Sequence, residues 1–308
     1  MENKRALLAV LFSVCCAVLV SGCETTNVGN VMDGLGAIQV GNFRLSDSQV
    51  GAIKKTAQAM DKAFTDITPE QEYYVGRAVG ATLLGKYRPR TDAKTVQYLN
   101  LVGQSLARVS DMPETYGGYH FVLLEDDGIN AFAAPGGLIF VSRGMLRCCQ
   151  DEDTLAAVLA HEIAHVQMKH GLQAIKTSRL TNAFSIMATE GTKQAGGPQL
   201  AQLTGIFEDS IHDVTATLVN SGYSRASERE ADAAALVILG RAGYDQRALM
   251  GMLGEMKKRL NPQGLDFAKT HPDPADRIAE LEPLLAEAKT PAGKTQRQQR
   301  FKSILGSI

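Results

Sequence analysis

The sequence predicts an α+β chain, predominantly helical, with a small β-sheet beside one central helix. Three observations carry that expectation. Apolar residues recur at helical spacing over most of the length, and strand-like patterning is confined to Tyr119 to Glu125 and Leu138 to Ser142. Hydrophobic residues make up 44% of the 308, enough to build one core. Lys and Arg number 32 against 33 Asp and Glu, a formal net charge of −1, so no basic stripe points to nucleic acid.

The chain opens on a targeting pattern. Lys4 and Arg5 precede the apolar run Ala6 to Val20, and Leu19-Val20-Ser21-Gly22-Cys23 follows. The run is short for a bilayer span, and small residues directly before a cysteine resemble a bacterial lipoprotein signal. Residues 1–22 are therefore expected to be removed and Cys23 lipidated, with two or more acyl chains making a stable membrane anchor. In a Gram-negative cell Glu24 would send the product to the outer membrane, facing the periplasm, so the expected location is the bacterial cell envelope. Residues 23–65 form a lipidated tether, rich in Gly, Asn, Thr and Ser to about residue 50, with a candidate helix over Ala52 to Phe64.

The main domain is expected over residues 66–288. Thr68-Pro69-Glu70-Gln71 opens a helix as a capping box, and Asp92 to Val109 carries another. A Pro135-Gly136-Gly137 turn leads into the strand Leu138 to Ser142. Asp151-Glu152-Asp153-Thr154 supplies cap and first-turn residues for the central helix. Leu155, Val158, Leu159, Glu162, Ile163 and Val166 continue it at helical spacing, with Gly171 as the expected stop. Gly191 to Pro198 reads as a surface loop, and residues 289–308 as a loose polar tail. With Cys15 and Cys16 in the signal and Cys23 lipidated, only Cys148 and Cys149 remain. Adjacent Cα atoms lie about 3.8 Å apart, closer than ordinary disulfides tolerate, so buried free thiols are expected there.

His161-Glu162-Ile163-Ala164-His165 occupies the central helix. Residues four apart share a helix face, so His161 and His165 can put ring nitrogens on one metal ion. Catalytic zinc sites bind imidazole at about 2.0 to 2.1 Å and typically use three protein ligands plus water, so one Zn2+ per chain is expected. Glu162 lies about 100° round the helix from His161 and reaches past the metal toward that water. That is the place of a general base, which takes the water's proton and can return it to a departing amine.

The remaining ligand is expected from Ser224 to Asp232. Glu228 and Asp232 share a face, whereas Glu230 is rotated about 200° from Glu228 and points elsewhere. Glu228 is the third metal ligand in this reading, and Asp232 accepts the free N–H of a ligating histidine. A solvated charge run is the bland alternative, but Ala231 and residues 233–240 are almost wholly apolar, so this helix is buried beyond its first turn.

The helical His-Glu-x-x-His together with Ser-Arg-x-x-Glu-x-x-Ala-Asp resembles the M48 family of zinc metallopeptidases, of the gluzincin type. Asn130 to Val141 resembles the family's segment ahead of the zinc helix, and Thr270-His271-Pro272 with Arg277 resembles its closing motif. These four ordered blocks cover roughly residues 68 to 288. A third histidine ten residues after His161, the metzincin pattern, is excluded because position 171 is Gly; His170 is read instead as a histidine favoured by a helix C-terminus.

The resemblance implies a zincin-like metallopeptidase domain acting on protein or peptide substrates. Leu138 to Ser142 is either an edge strand near the zinc, with Gly137, Leu138 and Ile139 pairing with substrate backbone, or an ordinary core strand. Asn130 either contacts substrate or fixes its loop. His271 either serves the cleft, as oxyanion donor or as a cover for the resting metal, or is a turn residue before Pro272. No repeat of about 34 residues follows, so the tetratricopeptide extension of some relatives is not expected. The leading functional expectation is a membrane-anchored zinc endopeptidase for periplasmic or misassembled envelope proteins. The competing one is a periplasmic chaperone or assembly factor that uses the groove with little proteolysis; Glu162 argues against it, since a binding module needs no general base. Oligomeric state is not legible in the sequence.

Overall fold

The computed structural model describes residues 67–175, 198–259 and 271–306 apart from 272, 287, 289 and 290, together with two short strands near residue 40. Of those strands, β1 (Gln39–Val40) pairs antiparallel with β2 (Phe43–Arg44). They belong to a unit, Met1–Asp66, separate from Ile67–Ile308. The signal, Cys23 and the helix expected over Ala52 to Phe64 lie outside the described residues, as does most of the loop expected over 191–198.

The larger unit is mostly helical, as expected. Helix α1 (Pro69–Lys86) starts where Thr68 accepts the Gln71 backbone N–H at 3.2 Å while the Gln71 side chain accepts that of Thr68 at 2.9 Å. Helix α2 (Ala93–Ala107) follows, then β3 (His120–Leu124), β4 (Ala131–Ala134) and β5 (Leu138–Ser142). The strand order is β3-β5-β4, with β5 parallel to β3 and antiparallel to β4. All five residues of β5 are buried, so Leu138 to Ser142 is the central strand of the sheet. Its backbone is paired on both sides, and the edge-strand reading of Leu138 and Ile139 does not hold. β4 is the edge strand on the other flank, and it packs on the central helix.

Gly76, Gly136 and Gly137 make that corner compact. A Cβ on Gly76 would stand 1.8 Å from the Pro135 carbonyl oxygen, so α1 and the turn touch through backbone. Gly136 and Gly137 have φ of 73° and 95°, the left-handed region that glycine enters without strain. Glu72, buried in α1, accepts the Gly136 N–H at 3.1 Å and pins the turn.

After the short α3 (Arg143–Cys148), the central helix is α4 (Glu152–Gln167), in which every residue to Val166 is buried. Asp151 caps it by accepting the Thr154 N–H at 2.9 Å. Cys148 and Cys149 are both buried, and burial pushes the Cys149 thiol up. The helix ends earlier than expected: Lys169 (φ 56°), not Gly171, makes the left-handed turn, and the chain then enters α5 (His170–Gln173). A second helical layer comprises α6 (Pro198–Ala216), α7 (Arg225–Ala242), α8 (Ala248–Arg259) and α9 (Pro274–Leu281). A wide turn over Thr217–Ser221 joins α6 to the start of α7. Helices α7 and α8 close over the face of α4 with Ala231, Ala235, Leu239, Leu249 and Leu253 in the common core.

The tail expected to be loose is instead helix α10 (Lys294–Leu305), with Phe301 and Leu305 buried. Its polar composition hid two anchors. Arg300 donates from Nε to Glu152 Oε2 at 2.7 Å, and Tyr98 and Tyr244 donate to the same carboxylate at 2.7 and 3.0 Å. Arg297 Nε donates to Asp153 at 3.1 Å. Opposite charges at the start of α4, together with the Phe301 side chain, outweigh a run of glutamines that prefers water.

Glu152→Ala is expected to destabilise the domain by about 3 kcal/mol in urea unfolding, because two tyrosine hydroxyls and a guanidinium lose one buried acceptor. Arg300→Ala should cost about 1 kcal/mol, since the arginine is half-exposed and Glu152 keeps both tyrosines. Equal losses would show that the tyrosines contribute nothing.

Candidate metal centre

Two helices and one turn bring the site together. Helix α4 presents His161 and His165 on one face, with Glu162 beside them. Helix α7 is capped by Ser224, whose hydroxyl accepts the Ser227 N–H at 3.1 Å, which places Glu228 in its first turn. A carboxylate there is favoured by the helix dipole. His271 comes from the segment before α9, whose cap Asp273 accepts the Ala275 N–H at 2.7 Å. His161, His165, Glu228 and His271 are all buried, and each offers a donor atom within 4.8 Å of the others.

The distances test whether zinc fits. His161 Nε2 and His165 Nε2 are 3.1 Å apart, and Glu228 oxygens lie 3.4 and 3.5 Å from them. Ligands about 2.0 to 2.1 Å from a tetrahedral ion stand about 3.3 Å from one another. The three donors are thus spaced as zinc ligands, and two imidazoles with one carboxylate are a donor set typical of catalytic zinc. His271 Nδ1 is 2.7 Å from Glu228 Oε2 and stands on the remaining side.

The outer partners are as specific. His161 Nδ1 lies 3.0 Å from Asp232 Oδ1, the contact expected from the spacing of Glu228 and Asp232. Asp232 is gripped from behind by Arg277, Nε to Oδ2 at 2.8 Å and Nη2 to Oδ1 at 2.6 Å. Arg277 is itself buried, and the closing motif named its position without assigning it a role. Two more residues were not expected. Tyr223 stacks on the His165 ring at 4.3 Å, and His170 turns back beneath His165 instead of capping a helix C-terminus. Only the charge and length of Arg277 could have flagged its part beforehand; for Tyr223 and His170 the sequence gives no signal, because both depend on turns.

Electrostatics follow from burial and neighbours. Burial opposes charge on His161, yet hydrogen bonds to Asp232 and Glu228 prevail and raise its pKa to about 9. Burial likewise opposes ionisation of Glu228, but His271 and His161 hold its carboxyl well below the usual range. Burial lowers His165 and keeps it neutral. The site is therefore arranged around a positive charge. Glu162 differs: burial, only partly offset by His161, pushes it up to about 7, and its Oε1 is buried with no hydrogen-bond partner among the described residues. An acid near neutrality, aimed into the site and unspent, can accept and return a proton.

The sequence-expected substrate residues fall otherwise. Asn130 holds its loop through the backbone, its N–H donating to Ser142 Oγ at 3.0 Å and its carbonyl accepting the Ser142 N–H at 2.9 Å, while its Nδ2 donates to Asp126 Oδ2 at 3.5 Å. Gly137 belongs to the turn, with Thr115 and the Gly118 carbonyl about a Cβ away. Leu138 and Ile139 lie in the central strand. It is Ala131, Phe132 and Ala133 of β4 that line a small pocket with Glu162, Leu218, Tyr223 and His271.

Comparison with known proteins agrees with this geometry. The sequence signature of Peptidase family M48 matches residues 93–285. The chain is similar to the mitochondrial metalloendopeptidase OMA1 of Schizosaccharomyces pombe, 32% identical over 216 residues, 68% of this chain and 57% of that protein. It is similar to the beta-barrel assembly-enhancing protease of Escherichia coli, 28% identical over 218 residues, 68% of this chain but 42% of that protein. It is also similar to the metalloprotease YcaL of Escherichia coli, 24% identical over 294 residues, 94% of this chain and 100% of that protein. The chain thus spans only about half the length of the first two relatives.

Glu228→Ala is expected to bring bound zinc in dialysed protein from about one per chain to near zero. Glu280→Gln, an exposed change on α9, should leave it unaltered. Equal metal content in the two variants would remove Glu228 from the ligand set.

Proposed function

Because the chain belongs to peptidase family M48, we propose that it is a zinc endopeptidase of the bacterial cell envelope that hydrolyses peptide bonds in unfolded or misassembled envelope proteins. The observation that carries the hydrolytic part is Glu162: a buried carboxyl, near neutral in acidity, one residue along α4 from His161 and within the same closed site as Glu228. Zinc, when bound, supplies a Lewis acid that polarises water and carbonyl oxygen. Glu162 then takes the proton from the attacking water and hands it to the departing amine nitrogen. Asp232, held by Arg277, keeps His161 oriented with Nε2 toward the metal.

The substrate path in this proposal runs along β4. Its edge position, and the contribution of Ala131, Phe132 and Ala133 to the pocket with Glu162, favour an extended peptide adding to the sheet. Main-chain pairing of that sort reads little side-chain sequence, which suits an enzyme that removes unfolded chains. His271, on the remaining side of the donor set, fits the cover of a resting site, since it lies against Glu228 and lines the same pocket.

The location rests on the first residues of the chain. Lipidation at Cys23 would hold the site at a membrane surface, where envelope proteins emerge; no helix among the described residues is long and apolar enough to cross a membrane. The relatives' names, a beta-barrel assembly-enhancing protease among them, are compatible with that setting.

Glu162→Gln is expected to keep zinc but lose about 10²- to 10⁴-fold in hydrolysis of an unfolded protein such as casein. Full activity in a zinc-loaded variant would end the general-base assignment. Cys23→Ala should abolish incorporation of labelled palmitate and release the protein from the membrane fraction; label that persists on this variant would refute the anchor.

A further inference from the structure

On its Nδ1 side, His165 meets a second buried imidazole. Helix α4 stops at Gln167, and the left-handed Lys169 reverses the chain so that His170 begins α5 directly beneath His165. A non-glycine residue rarely adopts that conformation, so the surrounding contacts must hold it there. One is Lys169 Nζ, 3.8 Å from the buried Glu72. The outcome is a contact of 2.9 Å between His165 Nδ1 and His170 Nδ1, with His170 Nε2 3.2 Å from Glu230 Oε2. The side chains of His165 and His170 are 0% exposed, whereas Glu230 is 59% exposed.

Two imidazole nitrogens this close share a single hydrogen, and the neighbours decide which ring carries it. Binding a metal through Nε2 requires the lone pair on that nitrogen, so the hydrogen of a neutral His165 sits on Nδ1. His165 therefore donates, His170 Nδ1 accepts, and the one hydrogen of a neutral His170 is on Nε2, where it donates to Glu230. Each N–H of the two rings then meets one acceptor, His170 Nδ1 for His165 and the Glu230 carboxylate for His170.

We propose that His170 and Glu230 are positioning residues for the metal site: a relay that locks His165 in the tautomer whose Nε2 is free to bind zinc. The inference rests on the metal site of the proposed function. The two ligating histidines are thereby supported unequally, His161 directly by Asp232 and His165 through a second histidine. The exposed carboxylate of Glu230 acts on a buried ligand it does not touch.

The test is the zinc affinity of the full chain, measured by competition with a chromophoric chelator. His170→Ala should weaken zinc by about 10- to 100-fold, the usual effect of losing a partner that orients a ligand. His170→Asn should restore most of that loss, because its Oδ1 is as many bonds from Cβ as the lost Nδ1 and can accept the same hydrogen. Glu230→Ala should weaken zinc less than His170→Ala does, since water can accept at the exposed end. Unchanged affinity in His170→Ala would overturn the proposal, and so would an Asn variant that folds normally but binds no better than Ala. A second readout is independent of any variant's folding. Nitrogen chemical shifts of the His165 ring in metal-free wild type should report hydrogen on Nδ1, and hydrogen on Nε2 would refute the relay. Failure of the wild type to bind zinc would defeat the proposed function, while that tautomer would still judge the relay by itself.

Discussion

Everything at this site depends on an ion pair that water cannot reach. Arg277 and Asp232 lie between α9, α7 and α4, each buried, joined by two hydrogen bonds. An isolated charge in that setting would be prohibitive, and even a pair recovers its desolvation cost only when the geometry is good and the remaining polar atoms are satisfied. Here Asp232 also serves His161, and Arg277 lies 3.6 Å from Glu228. The cluster is therefore a poor source of stability by itself. Its effect is to tie α9 to α7 and, through the contact of Asp232 with His161, α7 to α4.

That constraint accounts for the packing around it. Helix α4 has no solvent face, so every polar group on it needs an internal partner. Glu152 finds two tyrosines and α10, Asp153 finds Arg297 and the Asp245 N–H, and His165 finds His170. Glu162 Oε1 is the exception, and it is the group to which the proposed function gives a proton to carry. Small residues make the closeness attainable: Ala156, Ala157, Ala160 and Ala164 on α4 meet Ala231, Ala234 and Ala235 on α7 within one core.

Much of this was legible in the sequence, and the rest was hidden for identifiable reasons. Helical period and cap residues placed α1, α2 and α4, and i,i+4 geometry placed His161 with His165 and Glu228 with Asp232, because these are local properties of one helix. Strand order is not local: alternation says that Leu138 to Ser142 is extended but not how many neighbours it has, and the parallel partner β3 makes it central. The helix α10 was missed because nine polar residues outweigh Phe301, Ile304 and Leu305 in any pattern count, although two buried side chains and two arginines suffice when acidic partners wait on α4. Lys169 was missed because glycine is the usual left-handed stop, and Gly171 stood two residues further on.

The contact between Gly76 and Pro135 carries a consequence for how this gene can vary. The missing side chain lets the α1 backbone rest on the turn that starts β5, and no rotamer of any other residue would fit the 1.8 Å available. Position 76 is remote in sequence from every metal donor and touches none of them. A saturation library scored for function should still find it nearly as intolerant as the histidines. Inheritance of this fold thus depends on an unreactive residue that a search for catalytic groups would pass over.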